Sequence, residues 1–174
     1  RVNTRGGEFV ETDLNEVMDG VERDLELLAD EHDATVESGD LPTAVGDGDQ
    51  LGQLLQNLVK NGIENGAENG SPTVRVTGER RDEEVVVSVT DDGPGIPADQ
   101  QERIFRMFEQ GRRESDGTGI GLAVCRRIVD RHGGSLEVES AEGEGTTFRF
   151  SVPAPDGSRE ETPQQSRAAG VEGP

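Results

Sequence analysis

Hydrophobic residues recur at helical spacing in three long stretches of the chain, and shorter stretches alternate apolar and polar residues between them. The capping residue Asp13 precedes the first of the long stretches, and Gly133, a common helix terminator, follows the last. The spacing predicts main helices over about residues 14–32, 49–65 and 119–131, and Pro97 opens a short helix over about residues 97–108.

The alternating stretches predict strands, because a half-buried strand presents every second residue to the core. These strands cover about residues 34–38, 73–77, 85–90, 135–139 and 146–152, with a strand-and-turn connection over about residues 42–49. Strands joined in hairpins, with helices between them, predict an α+β two-layer sandwich. We expect one mixed, mostly antiparallel sheet with the three main helices on one face.

The chain divides into a single domain and two ends. Residues 1–7 are polar and contain glycine, so we expect them to be the frayed end of an upstream segment. From Pro153 onward Pro, Gly, Ser, Gln and Glu dominate, which predicts a disordered acidic tail over residues 154–174. The folded domain should therefore cover residues 8–153, as part of a longer parent protein.

The chain is strongly acidic, with 37 Asp and Glu residues against 17 Lys and Arg residues and a net charge of −20. Such a charge argues against binding to nucleic acid or to an anionic membrane. Lys60 is the single lysine, so arginine supplies almost all of the positive charge. An acidic, lysine-poor surface is typical of proteins from a high-salt cytoplasm, where cations screen self-repulsion. The alternative is an ordinary acidic protein whose tails inflate the count.

A single cysteine, Cys125, excludes an intramolecular disulfide, and its place in an apolar helical stretch predicts a small core residue. No apolar run approaches the roughly 18 residues of a membrane helix. We therefore expect a cytoplasmic location for this domain, whether or not the parent carries a membrane anchor elsewhere.

Three asparagines, Asn57, Asn61 and Asn65, recur every four residues and so form one stripe on the second predicted helix. Asparagine is a poor helix former, so the stripe needs an explanation. Its amide oxygen is a hard ligand suited to Mg²⁺. The alternative is the solvated polar edge of an amphipathic helix.

A strand that ends near Thr90 is followed by the sequence Asp91-Asp92-Gly93-Pro94-Gly95-Ile96. Gly93 and Gly95 allow backbone conformations and close approaches that other residues do not. A carboxylate at the strand end, such as that of Asp91, can accept a hydrogen bond from the exocyclic amine of adenine. A plain Gly-Pro turn with solvated acids is the competing interpretation.

The last main helix opens on Gly117-Thr118-Gly119-Ile120-Gly121-Leu122. Backbone N–H groups at a helix start, unobstructed because of glycine, form a phosphate site. The motif is neither a dinucleotide fingerprint, since no βαβ unit precedes it, nor a P-loop, since no Gly-Lys-Ser/Thr follows. Arg112 and Arg113 in the preceding polar loop are placed either to reach phosphates or to lie in solvent.

In this order the three motifs resemble the ATP-binding domain of sensor histidine kinases, a branch of the GHKL ATPase superfamily with a Bergerat-type sandwich. The resemblance covers residues 8–153, and Phe105-Arg106-Met107-Phe108 resembles the F box that precedes the ATP lid of these domains. It implies ATP and Mg²⁺ as cofactors, with Asn61 as the metal ligand and Asn57 beside it as a catalytic residue. The nucleotide-binding residues that it implies are Asp91, Gly93, Gly95, Ile96, Arg112, Arg113, Gly117, Thr118, Gly119, Ile120, Gly121, Leu122 and Thr146.

Three positions of the second helix separate this chain from other members of the superfamily. Glu64 stands where histidine kinases usually carry a basic residue, and Asn65 stands where an aromatic residue is common, which puts tight ATP binding in doubt. The ATP-hydrolysing branches carry a general-base Glu at the position of Asn57, and an amide cannot act as a base at neutral pH. The chain is therefore expected to hold ATP for transfer rather than to hydrolyse it.

The resemblance implies the catalytic domain of a two-component histidine kinase, which transfers the γ-phosphoryl group of ATP to a histidine outside this chain. Neither His32 nor His132 lies in an acceptor-box sequence, and we expect both to be structural or solvent-facing. The implied partners are the dimerisation and His-phosphotransfer domain of the parent, itself a homodimer, and the receiver domain of a response regulator. The alternatives are a weakly ATP-binding signalling module of the same fold and a protein serine kinase of the anti-sigma type.

Overall fold

A computed structural model describes residues 8–66, 70–96, 99–100, 103, 117–141 and 143–155, with the backbone alone described for residues 117–122. The helices are α1 (Leu14–Asp24), α2 (Glu26–Glu31), α3 (Gly48–Gly66) and α4 (Gly117–Arg131). The strands are β1 (Val10–Asp13), β2 (Thr35–Ser38), β3 (Thr43–Gly46), β4 (Thr73–Arg81), β5 (Glu84–Asp91), β6 (Leu136–Ser140) and β7 (Thr146–Pro153).

Five of the strands form one mixed sheet in the order β2-β4-β5-β7-β6. Strand β2 runs parallel to β4, and the other neighbours are antiparallel. Strands β1 and β3 form a separate antiparallel pair. The expected mixed, mostly antiparallel sheet is confirmed.

The helices cover one face of this sheet and solvent covers the other. Val85, Val87 and Val89 of β5 are buried beneath the helices, whereas Thr77 and Thr90 on the opposite face are exposed. Helix α3 is central, because it contacts α1 and α4 on its flanks and β4 and β5 beneath it. Its fully buried apolar residues are Leu51, Leu54, Leu55, Leu58, Val59 and Ile63. This is the two-layer sandwich that the sequence predicted.

The first predicted helix is divided in two at Leu25. Its backbone leaves helical geometry there (φ −99°, ψ 7°), although its N–H still bonds to the carbonyl of Val21. Leu25 remains buried, so the spacing of apolar residues continues across the break and gives no sign of it. Asp13 caps α1 as expected, since its carboxylate accepts a hydrogen bond from the N–H of Asn15 at 2.9 Å.

Two strand predictions also differ from the structure. No strand was predicted over β1, because Val10 is exposed and only pairing with β3 defines the strand. Strand β4 runs on to Arg81, beyond the predicted end at residue 77, and the hairpin turn lies at Asp82 and Glu83. Asp82 adopts a left-handed conformation (φ 55°), which aspartate tolerates better than most residues.

His132 is a structural residue, as expected. Its Nε2 accepts a hydrogen bond from the N–H of Asp47 at 3.1 Å, and its Nδ1 lies 2.8 Å from the carbonyl of Ile128. The ring is buried and stacks on Phe9 with centroids 4.4 Å apart, and burial lowers the pKa of the imidazole. The neutral ring thus joins β3 to the end of α4.

Several predictions lie outside the described residues. They are the frayed end over residues 1–7, the tail beyond residue 155, most of the short helix over residues 97–108, and the loop up to residue 116. None of the helices in the described part of the chain combines the length and hydrophobicity needed to cross a membrane.

Candidate nucleotide-binding site

The second half of α3 lies directly against the end of β5. A Cβ atom at Gly62 would stand 2.9 Å from Cγ2 of Val74 and 3.3 Å from Cβ of Asp91. Contacts this short leave little room for a side chain, so glycine lets the helix approach the strand end closely. Glycine weakens a helix, and at Gly62 this cost is offset by the close packing of α3 against the end of β5.

Asn61 precedes this contact and carries an unsatisfied buried amide. Asn61 is only 8% exposed, and its Nδ2 has no hydrogen-bond partner among the residues that the structure describes. A buried unpaired donor costs about 1–3 kcal/mol, so such groups are rare outside binding sites. Rotation of the amide by 180° presents either its oxygen or its nitrogen in the same direction. The amide of Asn61 is therefore free to contact a ligand.

Asn57 lies one turn earlier, at the contact between α3 and α4. It is half-buried and hydrogen-bonded to the thiol of Cys125. Cys125 is the core residue that the sequence predicted, and burial raises its pKa to about 12, so the thiol stays protonated. Asn57 also lines a cavity of about 550 Å³ between α1 and α3. Through its hydrogen bond to Cys125, Asn57 joins α3 to α4.

Asp91 is the last residue of β5 and is only 4% exposed. Its Oδ1 accepts a hydrogen bond from the N–H of Gly93 at 2.9 Å, and the backbone of Thr146 supplies a second. Burial raises the pKa of this carboxyl above its usual value, the two backbone bonds oppose the rise, and the neighbouring charge of Asp92 adds to it. The result is a buried, oriented hydrogen-bond acceptor at the strand end.

The glycines after Asp91 serve two different needs. A Cβ atom at Gly93 would lie 2.9 Å from the backbone oxygen of Asn65, so the loop packs tightly against the end of α3. Gly95 adopts a left-handed conformation (φ 80°) that favours glycine. Ile96 then donates its N–H to Oγ of Ser140 at 2.8 Å. The loop is thus fixed at both of its ends.

Thr146 stands opposite Asp91 in the pairing of β5 with β7. It is buried, and its backbone contacts the Asp91 carboxylate. The structure therefore brings Asp91, Gly93 and Thr146 together at one end of the sheet, with Gly62, the neighbour of Asn61, packed against Asp91.

The remaining predicted site residues are placed only in part. Gly117, Thr118, Gly119, Ile120, Gly121 and Leu122 form the first turns of α4, which confirms that this motif opens a helix. Arg112 and Arg113 lie outside the described residues. Glu64 is exposed and Asn65 is half-buried, so the carboxylate that departs from the kinase pattern faces solvent.

Sequence reasoning did not find Ser140 or the contact between Asn57 and Cys125. Ser140 is a single serine at the end of a strand, and its partner Ile96 is 44 residues away in the sequence. Nothing in the local pattern signals such a contact.

A two-layer α+β domain with a buried acceptor and a buried free amide at one end of its sheet is built as a nucleotide-binding domain. The chain belongs to the family described as histidine kinase-, DNA gyrase B- and HSP90-like ATPases, whose pattern matches residues 46–156. Membership implies an ATP-binding domain and confirms the resemblance on which the residue assignments were based.

Individual relatives place the chain among histidine kinases. It is 39% identical over 155 residues to the phytochrome-like protein Cph1 of Synechocystis sp., which covers 88% of this chain and 21% of Cph1. The catalytic domain of histidine kinase ThkA superposes with a TM-score of 0.69 at 32% identity, over 84% of this chain and 96% of that domain.

Two further solved structures that the chain resembles contain a bound ligand or a partner protein. Full-length ShkA in complex with AMPPNP gives a TM-score of 0.70 at 28% identity, over 84% of this chain and 31% of ShkA. ThkA in complex with the response regulator protein TrrA gives 0.68 at 29% identity, over 84% of this chain and 42% of that chain. The chain thus spans only a part of the full-length proteins that it matches.

Proposed function

We propose that this chain is the catalytic domain of a two-component histidine kinase, which transfers the γ-phosphoryl group of ATP to a histidine on the dimerisation domain of its parent. One observation carries the proposal: α3 packs at Gly62 against the buried Asp91, and the preceding residue Asn61 has a buried amide nitrogen without a hydrogen-bond partner among the described residues. A neutral amide and a carboxylate at one end of a sheet suit the two ends of an adenine nucleotide.

Asp91 has the role of the adenine acceptor, because its carboxylate is buried and held by two backbone N–H groups. Gly93, Gly95 and Ile96 allow the purine to approach the backbone, and Thr146 orients the carboxylate. The N–H groups that open α4, at Gly117, Thr118, Gly119, Ile120, Gly121 and Leu122, are assigned to the phosphates together with Arg112 and Arg113.

Asn61 is the residue that fits a Mg²⁺ ion, with Asn57 one turn away on the same stripe. The fit follows from the buried amide, whose nitrogen makes no hydrogen bond to the described residues that would hold the group in one orientation, and from the preference of Mg²⁺ for oxygen ligands. The described residues hold no group of three or more His, Cys, Asp or Glu side chains arranged to bind a metal ion, so phosphate oxygens and water would complete the ligand set. When bound, the ion neutralises charge on the phosphate oxygens during transfer.

The proposal includes the partners of the parent protein. The ThkA–TrrA complex supports a response regulator receiver domain as the final acceptor, and ShkA with AMPPNP supports an ATP-type ligand. A homodimeric parent with a cytoplasmic catalytic domain, and no binding to nucleic acid, completes the proposal. The charge of −20 supports the last point.

One alternative has a specific observation in its favour. Glu64 is exposed on α3 where related kinases carry a basic residue, and a carboxylate near phosphates is repulsive unless a cation intervenes. A weakly ATP-binding module of the same fold would tolerate this charge.

The test is phosphorylation of a separately supplied histidine-hairpin domain by the purified chain with labelled ATP and Mg²⁺ in about 1 M KCl. We expect an acid-labile, alkali-stable phosphohistidine on the hairpin and saturable ATP binding below about 1 mM. An acid-stable phosphoserine would instead support the anti-sigma type of kinase. No saturable binding in that range would support the weakly binding module.

We also propose that the acidic surface reflects a high-salt source. Raising KCl from about 0.1 M to about 1 M shortens the Debye length from about 10 Å to about 3 Å, which screens repulsion among the carboxylates. The unfolding midpoint should rise by roughly 5 °C or more, which corresponds to 1–2 kcal/mol in a domain of this size. Thermal unfolding followed by circular dichroism measures this shift.

A variant with Asp19→Asn, Glu26→Gln and Asp30→Asn is the control, because these exposed acids lie on α1 and α2, away from the candidate site. The unfolding midpoint of this variant should rise less with KCl than that of the unaltered chain. A midpoint that does not change with KCl would overturn the high-salt interpretation.

A further inference from the structure

The hydroxyl of Ser140, at the end of β6, joins two parts of the chain. Its Oγ accepts the N–H of Ile96 at 2.8 Å and lies 3.0 Å from the carbonyl of Gly145 and 2.9 Å from Oγ1 of Thr146. A serine hydroxyl has one proton and two acceptor sites. The proton goes to the Gly145 carbonyl, so the Thr146 hydroxyl donates to Ser140, and the three bonds are mutually consistent.

The β6–β7 turn touches the same loop at two further points. Gly143 donates its N–H to the carbonyl of Pro94 at 2.5 Å. A Cβ atom at Gly145 would lie 2.2 Å from the backbone oxygen of Asp91, and the residue has a φ of 82°. Only glycine permits this approach. The turn and the loop after Asp91 therefore form one packed unit.

These contacts form a connected set of hydrogen bonds around the buried carboxylate. Asp91 is held by Gly93 and by the backbone of Thr146, the side chain of Thr146 bonds to Ser140, and Ser140 holds Ile96 at the far end of the loop. We propose that Ser140 is a positioning residue for adenine recognition, which acts by fixing the Asp91–Ile96 loop and, through Thr146, the direction of the Asp91 carboxylate. This inference rests on the proposed function, because it assumes that Asp91 accepts a hydrogen bond from adenine.

The experiment compares ATP with inosine triphosphate, which lacks the exocyclic amine, in binding titrations with the full chain. Ser140→Ala removes the partner of Ile96, Gly145 and Thr146 at once. We expect about tenfold weaker binding of ATP and little change for inosine triphosphate, so the preference between the two nucleotides falls. Ser140→Thr keeps the hydroxyl and should retain the wild-type preference.

Ser151→Ala is the matched control. Ser151 is buried on β7, and its Oγ makes two hydrogen bonds with the backbone N–H and hydroxyl of Ser135, away from the loop. It should lower stability by an amount similar to Ser140→Ala and leave the nucleotide preference unchanged. If Ser140→Ala weakens both nucleotides equally, or if Ser151→Ala gives the same loss of preference, Ser140 is merely structural and the inference is overturned.

Asp91→Asn separates this inference from the proposed function. If Asp91→Asn also leaves the preference for ATP intact, the assignment of Asp91 itself fails. If Asp91→Asn removes the preference and Ser140→Ala does not, only the role of Ser140 fails. Should Ser140→Ala not fold, hydrogen exchange of the Ile96 amide in the unaltered chain decides, because rapid exchange with AMPPNP bound would overturn the inference.

Discussion

Asn61→Asp is expected to reduce phosphoryl transfer to a supplied acceptor domain by about 100-fold or more, while the domain still folds cooperatively. Asn61 is 8% exposed, and its Nδ2 has no hydrogen-bond partner in the described part of the chain. A carboxylate of the same shape would replace a neutral ligand with a second negative charge beside Asp91 and the phosphates. Loss of one group that contacts the transferring phosphates typically costs 10²–10³ in rate. The rate of phosphohistidine formation and a thermal unfolding curve measure the two outcomes.

Gln53→Glu is the matched control for this substitution. Gln53 lies on the same helix, two turns before Asn61, and the change adds the same charge without changing the length of the side chain. It should leave transfer within about threefold of the unaltered chain, since exposed and half-exposed charges at that distance are largely screened in salt. Normal transfer by Asn61→Asp would contradict the assignment of this residue to the metal and the phosphates.

The main elements of the fold were predictable because their signals are local. Leu51, Leu55 and Leu58 mark the buried side of α3 by spacing alone, and Asp13 marks the start of α1 as a cap. The break at Leu25 was not predictable, because its side chain stays buried and keeps the helical spacing. Strand β1 was missed for a different reason, since it pairs with residues of β3 that are 30 to 36 positions away in the sequence.

The candidate site also has parts that the sequence predicts and parts that it does not. The asparagine stripe and the Asp91–Ile96 loop stand out because residue types that disfavour regular structure occur at element ends or at helical spacing. The close packing of α3 against Asp91 required Gly62, whose only local effect is to weaken the helix. Ser140 gave no signal, since its hydrogen bonds arise only when β7 pairs with β5 and brings the β6–β7 turn to the loop.

Asp91→Asn is expected to weaken ATP binding by about 10- to 100-fold and to remove the preference for ATP over inosine triphosphate. The carboxylate is an acceptor with no proton of its own, whereas an amide also carries an NH₂ group. Two backbone donors already face this side chain, so the amide would turn its oxygen toward Gly93 or Thr146 and present a donor elsewhere. That donor would meet the amine of adenine, which is also a donor. Binding titrations of both nucleotides measure the loss.

Asp92→Asn is the control for this change, because it alters the next residue in the same way. Asp92 is exposed, and its Oδ1 accepts the N–H of Thr73 at 3.0 Å, a bond that an amide oxygen can keep. Nucleotide preference should therefore survive in Asp92→Asn. Equal losses in the two variants would mean that general charge, rather than the buried acceptor, governs binding.

The pH dependence of binding follows from the raised pKa of Asp91. Between the ordinary value of 3.8 and the raised value in the folded domain, the native state holds a proton that the unfolded chain has lost. The contribution of Asp91 to stability is therefore present below pH 3.8 and is lost as the pH rises through the raised pKa.

ATP binding should depend on pH in the opposite direction, because adenine needs the ionised Asp91 carboxylate as its acceptor. The affinity for ATP should fall as the pH drops through the raised pKa. Between pH 3.8 and the raised pKa, ATP binding should release a proton. Calorimetry in buffers of different ionisation enthalpy measures this proton, which should be absent in Asp91→Asn. Proton release that persists in Asp91→Asn would assign the titration to another group.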